Sequence, residues 1–162
     1  MIPEIGHYAL ALGLALAILQ STIPFYSVAR GRENLIGLTF NIARAQTIFL
    51  GLSFICLTLS FVNNDFSVSY VANNSNSALP LEYRISGVWG AHEGSLLLWV
   101  LILGVWTSAV TFFSKTLPKE FTARVLGVMG LISTGFLLFT LFTSNPFLRR
   151  VPPPANGADL NP

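Results

Sequence analysis

A single cysteine, Cys56, stands among the 162 residues of the chain. No intrachain disulfide and no CxxC redox pair can therefore form. Cys56 lies inside an apolar run, where a small buried hydrophobe is its ordinary role. Charge is scarce too, since Asp, Glu, Lys and Arg supply 10% of residues against about 25% in an ordinary soluble domain. The nine basic residues are spread over several loops rather than clustered on one face. That excludes a nucleic-acid partner and leaves the net charge of +2 no role in partner choice. Soluble-enzyme signatures are also missing: no Gly-rich phosphate loop, HExxH, GxSxG or cysteine–histidine cluster can be found. No catalytic residue and no metal-ligand set can be named. Runs of alternating polarity are absent as well, which excludes a transmembrane β-barrel.

What the chain does have is apolar length. Hydrophobic residues make up 52% and the mean hydropathy is +0.64, the composition of an integral membrane protein. Four apolar segments cover about 8–28, 46–62, 95–113 and 125–143. At about 1.5 Å per residue the last of them spans roughly 28 Å, close to the ~30 Å hydrocarbon core. The fold class is therefore all-α and integral to the membrane, with four transmembrane helices. The first segment is no cleaved signal peptide, because Glu4 precedes it and the first basic residue, Arg30, follows it. Lys and Arg are retained on the cytoplasmic side. Arg30, Arg32 and Arg44 separate the first two segments, and Lys115, Lys119 and Arg124 the last two, against Arg84, Arg149 and Arg150 elsewhere. Both termini and the long loop between helices two and three are thereby placed on the non-cytoplasmic side.

That loop, Asn63 to Gly94, reads as a turn at Asn63–Asp65, a strand-like Phe66–Val71 and a second turn at Asn73–Ser77. Asn73-Asn74-Ser75 matches a glycosylation sequon by chance. Ala9, Gly13 and Ala17 in the first segment, and Gly127, Gly130 and Gly135 in the fourth, let neighbouring backbones approach closely. Pro24 removes a backbone hydrogen bond near the end of the first helix. Arg44 and Gln46 open the second, with the arginine snorkelling to headgroups. Pro152-Pro153-Pro154 is an extended, stiff stretch. Ionisable residues usually line transport pathways, and none lies deep in these segments, which argues against a small transporter or channel.

The chemistry-bearing stretch is Trp89-Gly90-Ala91-His92-Glu93-Gly94-Ser95-Leu96-Leu97-Leu98-Trp99. If a helix begins near Trp89, then His92, Trp99 and Trp106 recur every seven residues and drift only about 20° per step. Such a stripe suits a flat apolar ligand with one polar handle. Glu93 lies roughly 100° round the helix from His92. The plainer reading of the tryptophans is an aromatic belt at the headgroups. For His92 it is an interfacial histidine bonded to a loop carbonyl rather than an axial ligand. Gly90 and Gly94 each cost a helix about 1 kcal/mol relative to alanine, so the helix can instead start at Ser95 with the motif as a shaped turn. His7, three residues after Glu4, reaches the same face. With His92 it could form a metal or haem pair, although a hydrated histidine is the more ordinary state.

Three segments together resemble the CcmF family of the system I pathway for cytochrome c maturation. They are Ile2-Pro3-Glu4-Ile5-Gly6-His7-Tyr8-Ala9-Leu10, the Trp89–Trp99 motif, and Asn156-Gly157-Ala158-Asp159-Leu160-Asn161-Pro162. The resemblance implies a haem-handling protein of the bacterial inner membrane, or of the mitochondrial inner membrane in a plant. Such a protein takes haem from CcmE and, with CcmH and CcmI, attaches it to the CxxCH motifs of apocytochrome c. The nucleophilic cysteines then belong to the substrate. The family's haem b is held by histidines flanking a tryptophan-rich WWD segment, and neither is present here. His7 and His92 do not correspond to those ligands, so axial ligation is not carried over to them.

Residues 1–162 are thus expected to be the N-terminal transmembrane module of a CcmF-like protein, either truncated or one piece of a split protein. Alone, the chain is expected to be inactive. Its partners are expected to be the remainder of CcmF, CcmE, CcmH, CcmI, apocytochrome c and membrane lipid. Trp89, His92, Glu93, Trp99 and Trp106 are the expected haem-proximal or partner-docking residues. The rival expectations are an NrfE-type paralogue serving nitrite reductase, and a structural assembly subunit without haem contact.

Overall fold

The computed structural model describes residues 1–158; the last part of the third resemblance segment, 159–162, lies outside them. Six helices follow in order: α1 Ile2–Ala29, α2 Glu33–Val62, α3 Ser69–Asn74, α4 Leu81–Gly87, α5 His92–Phe113 and α6 Lys119–Phe142. Among the described residues there is no strand, only an isolated antiparallel bridge between Val68 and Arg149. The long helices α1, α2, α5 and α6 are each long and apolar enough to cross a membrane, so the all-α reading with four spans holds. Tight connections at 30–32 and 114–118 make one end of the bundle. The opposite end carries α3, α4, the start of α5 and the segment after α6. Around the bundle α1 packs on α2 and α6, and α5 packs on α2 and α6.

The helices overrun the apolar segments because hydropathy marks only the lipid-crossing stretch, whereas backbone hydrogen bonding continues past it. α2 overruns most. It starts at Glu33, and Arg44 lies well inside it rather than opening it. Burial of Ile36, Thr39, Ile42 and Ala43 holds the extra turns. The Arg44 Nε donates to Thr111 Oγ1 at 2.9 Å and its guanidinium stacks on Phe112. The arginine thus joins α2 to the end of α5 instead of only reaching for headgroups.

Between apolar helices in lipid, close packing and polar contacts replace the hydrophobic drive. A Cβ at Gly130 would stand 2.7 Å from the Ser21 backbone nitrogen, and one at Gly127 would press on the Phe25 ring. These two glycines seat α6 on α1. Gly135 does not share that role, because nothing lies within 4 Å of its Cβ position. The Gln20 side-chain amide donates to the Leu126 carbonyl across the same interface. Thr47 Oγ1 donates to the Gly104 carbonyl at 2.7 Å and accepts from Ser108 Oγ, locking α2 to α5. Fully buried Leu10, Leu50, Leu57, Phe61, Leu97 and Leu137 fill the centre.

The strand expected at Phe66–Val71 is instead a turn at 66–67, a single bridged residue at Val68 and helix from Ser69. Only Val68 is extended, bridged to Arg149 after α6: the Arg150 N–H donates to the Ser67 carbonyl and the Ser69 N–H to the Leu148 carbonyl, both at 2.8 Å. Beyond them Tyr70, Val71 and Ala72 are all buried. A strand, with its period of two, cannot bury three successive side chains on one face.

Candidate functional site at the loop-bearing end

The start of α5 is built by Tyr70. Its phenol donates to the Val88 carbonyl at 3.1 Å and accepts from the Ala91 N–H at 3.3 Å. Burial pushes its ionisation above the ordinary tyrosine value, partly offset by hydrogen bonds from the backbone at Ala91 and Gly94. The Phe61 ring meets Tyr70 edge-on at 5.3 Å. Ala91 is extended and α5 begins at His92. The motif is therefore a turn at 88–91 followed at once by helix, between the two starts considered from sequence. Gly94 sits inside α5, where a Cβ would overlap the Val88 carbonyl oxygen. This close approach explains the glycine despite its helix penalty. Ser95 Oγ closes the turn by donating to the Trp89 carbonyl at 2.7 Å.

His92, the first residue of α5, places Nδ1 2.8 Å from Ser144 Oγ and its ring edge-on to Phe139. Its partner is a hydroxyl just past α6, not a loop carbonyl. The neighbouring residue, Asn145, directs its side-chain amide at the Nδ1 of His7, 3.3 Å away. One corner of chain thus engages both histidines. Among the described residues no group of three or more His, Cys, Asp or Glu is placed to hold a metal. Glu93 is half-buried and makes no ion pair among the described residues. Trp99 and Trp106 are 67% and 65% exposed on the outward side of α5, and Trp89 is 44% exposed above them. The two tryptophans of the seven-residue stripe therefore face away from the bundle, whereas His92 at its head leans on α6 through Phe139 and Ser144.

The segment after α6 organises the rest of this end. Arg149 Nε bonds Glu4 Oε1 at 2.9 Å, and its Nη1 approaches Asp65 Oδ2 at 3.4 Å, tying α1 to the loop after α2. The Ala158 N–H donates to the Ala72 carbonyl at 2.7 Å, laying the chain across α3. Tyr70, Ser144, Asn145 and Arg149 were not singled out by sequence. Their partners lie far along the chain, and only Asn145-Pro146, a turn-forming pair, carried a local signal.

Residues 89–162, beginning at the first tryptophan of the motif, match the family described as Cytochrome C assembly protein. Over all of its length the chain is 58% identical to the cytochrome c-type biogenesis protein CcmF of Pseudomonas aeruginosa, of which it covers 25%. The chain belongs to the CcmF family. In Haemophilus influenzae it is 50% identical to CcmF and 40% identical to the cytochrome c-type biogenesis protein NrfE, covering 25% and 26% of them. Its fold is similar to that of a solved cytochrome c heme lyase CcmF, with a TM-score of 0.85 over 91% of this chain and 25% of that one, at 24% identity. The chain spans about a quarter of the length of the curated relatives it matches. The family expected from the three sequence segments is the family found, and its four long apolar helices make the chain a multi-pass membrane protein.

Proposed function

We propose that the chain works in haem attachment, helping haem pass from CcmE to apocytochrome c as the N-terminal module of a CcmF-type protein. The observation that supports this is the His92–Trp99–Trp106 stripe, which runs down α5 from the loop-bearing end, where Trp89 stands, and exposes both of its tryptophans. In this reading the end faces the non-cytoplasmic side of a bacterial inner membrane, where CcmE, CcmH and CcmI meet it. Attachment adds a substrate cysteine S–H across a haem vinyl group to give a thioether, so the nucleophile comes from apocytochrome c. This chain's residues position and screen. The tryptophans present flat apolar surface to the porphyrin or to the remainder of CcmF, and the Ser144 latch holds the His92 ring.

Haem b itself belongs to the complete protein. Of two cavities at this end, one is lined by Glu4, His7, Asn145 and Phe147 and the other by Asn74, Tyr83, Gly87 and Gly90, and neither is lined by His92 or the tryptophans. The stripe is one open wall, and it takes a second wall to enclose a porphyrin. No axial ligation is assigned to His92 or His7. Greater identity to CcmF than to NrfE within one organism favours the CcmF role over the NrfE-type one.

The test is to exchange the corresponding segment of a full-length CcmF-type protein for this chain and to measure haem-stained c-type cytochromes. Trp99→Ala with Trp106→Ala should reduce maturation at least several-fold at unchanged protein level, and His92→Ala should do the same. Full maturation in all of these variants would leave only the structural assembly role.

A further inference from the structure

The hairpin end of the bundle carries a second feature, unrelated to the haem reading. Arg44 meets Thr111 in the last turn of α5, yet α2 begins at Glu33. At about 1.5 Å per residue, and with α5 ending two residues after Thr111, roughly 13 Å of α2 projects past the level where α5 stops. The connection at 114–118 and the first turn of α6 fold back against this projection and leave a groove of about 360 Å³. Its walls are apolar, from Ile36, Phe40 and Leu117, and its rim carries Lys115, Lys119 and Glu33. Both lysines are exposed, and among the described residues neither has a carboxylate within ion-pair distance.

We propose that this groove is a binding site for an anionic phospholipid, whose phosphate lies between Lys115 and Lys119 while an acyl chain runs along Ile36, Phe40 and Leu117. The proposal rests on the reading of the long helices as membrane spans. Basic pockets at the cytoplasmic ends of transmembrane helices take anionic headgroups because each lysine near the surface contributes about 1 kcal/mol. The start of α6 adds the positive end of its helix dipole on the same side. Two ammonium groups against one carboxylate leave the rim with a net positive charge, which a phosphodiester of net charge −1 neutralises and a zwitterionic lipid does not. The apolar wall continuous with the end of α5 favours a lipid over a soluble phosphate.

The experiment is native mass spectrometry of the full chain in detergent micelles, titrated with phosphatidylglycerol or phosphatidylcholine. Phosphatidylglycerol should be retained preferentially. Lys115→Gln with Lys119→Gln should weaken its binding about 30-fold, the equivalent of about 2 kcal/mol, whereas Arg124→Gln, outside the groove, should change it little. Glu33→Gln should strengthen binding several-fold, a gain that misfolding cannot produce. Equal retention of the two lipids, equal effects of the lysine and Arg124 variants, or no gain in Glu33→Gln would each overturn the proposal. Displacement of the lipid by millimolar glycerol 3-phosphate would assign the groove to a soluble phosphate and likewise overturn it.

Discussion

His92 Nδ1 and Ser144 Oγ stand 2.8 Å apart, joining the first residue of α5 to the residue just beyond Thr143, which caps α6. Because Asn145 engages His7 in turn, the start of α1, the start of α5 and the end of α6 share one polar corner. Ser144→Ala should cost about 1 kcal/mol, the usual net worth of such a bond. Its effect should be concentrated at this end, as faster amide exchange in the first turn of α5 with no change at the 30–32 hairpin.

Two glycines of the long helices should respond oppositely to alanine. In Gly94→Ala the new methyl overlaps the Val88 carbonyl. The turn below Trp89 must then move, at a cost of about 1–3 kcal/mol or more, read as a lower melting temperature in detergent. In Gly135→Ala the methyl meets nothing within 4 Å, and the gain in helix propensity of about 1 kcal/mol should appear as a neutral or raised melting temperature.

Tyr70 makes a pH-dependent contribution whose sign follows from its burial. Its ionisation is raised in the folded protein, so as pH climbs past about 10 the unfolded chain loses this proton first. The stability due to the neutral phenol is fully present below that pH and declines above it. Tyr70→Phe should lower stability at pH 8 by about 1 kcal/mol through the lost bond to Val88, and should show a shallower alkaline decline in melting temperature than wild type.

Arg149 is a third exposed, and its bonds to Glu4 and Asp65 lie in water. Each is therefore worth at most about 1 kcal/mol. Arg149→Gln should leave the melting temperature within a few degrees but release the chain that follows. Limited proteolysis should then cut near 150–155 faster than in wild type, with the difference shrinking as salt rises in the wild-type sample.

Part of the geometry of α5 was legible from sequence, where its cause is local. The seven-residue recurrence of His92, Trp99 and Trp106 sets one helical face whatever surrounds the helix, and Trp99 and Trp106 are exposed on it. The start of α5 was not legible, because it depends on Tyr70, distant in sequence, satisfying the Val88 carbonyl and the Ala91 N–H. The helix at Ser69–Asn74 was missed for the same reason. Its β-branched and aromatic residues read as strand, and only burial against Phe61 and the turn before α5 makes three successive residues core. Arg44 was assigned to the lipid interface because hydropathy cannot see that α2 continues for three turns beyond its apolar part, or that Thr111 and Phe112 wait opposite.

By itself the sequence determined that this protein is a four-helix membrane module of the CcmF family. Long apolar runs admit one backbone solution in lipid, since every N–H and C=O must be satisfied within the segment, and the three motifs carry the kinship. Tertiary structure alone decided which polar groups meet: His92 with Ser144, Tyr70 with Val88, Arg44 with Thr111, and the groove below Lys115 and Lys119. Those pairings are contacts between residues far apart in the chain. They depend on how far each helix extends past its apolar part and on which face it turns inward, and neither follows from local pattern.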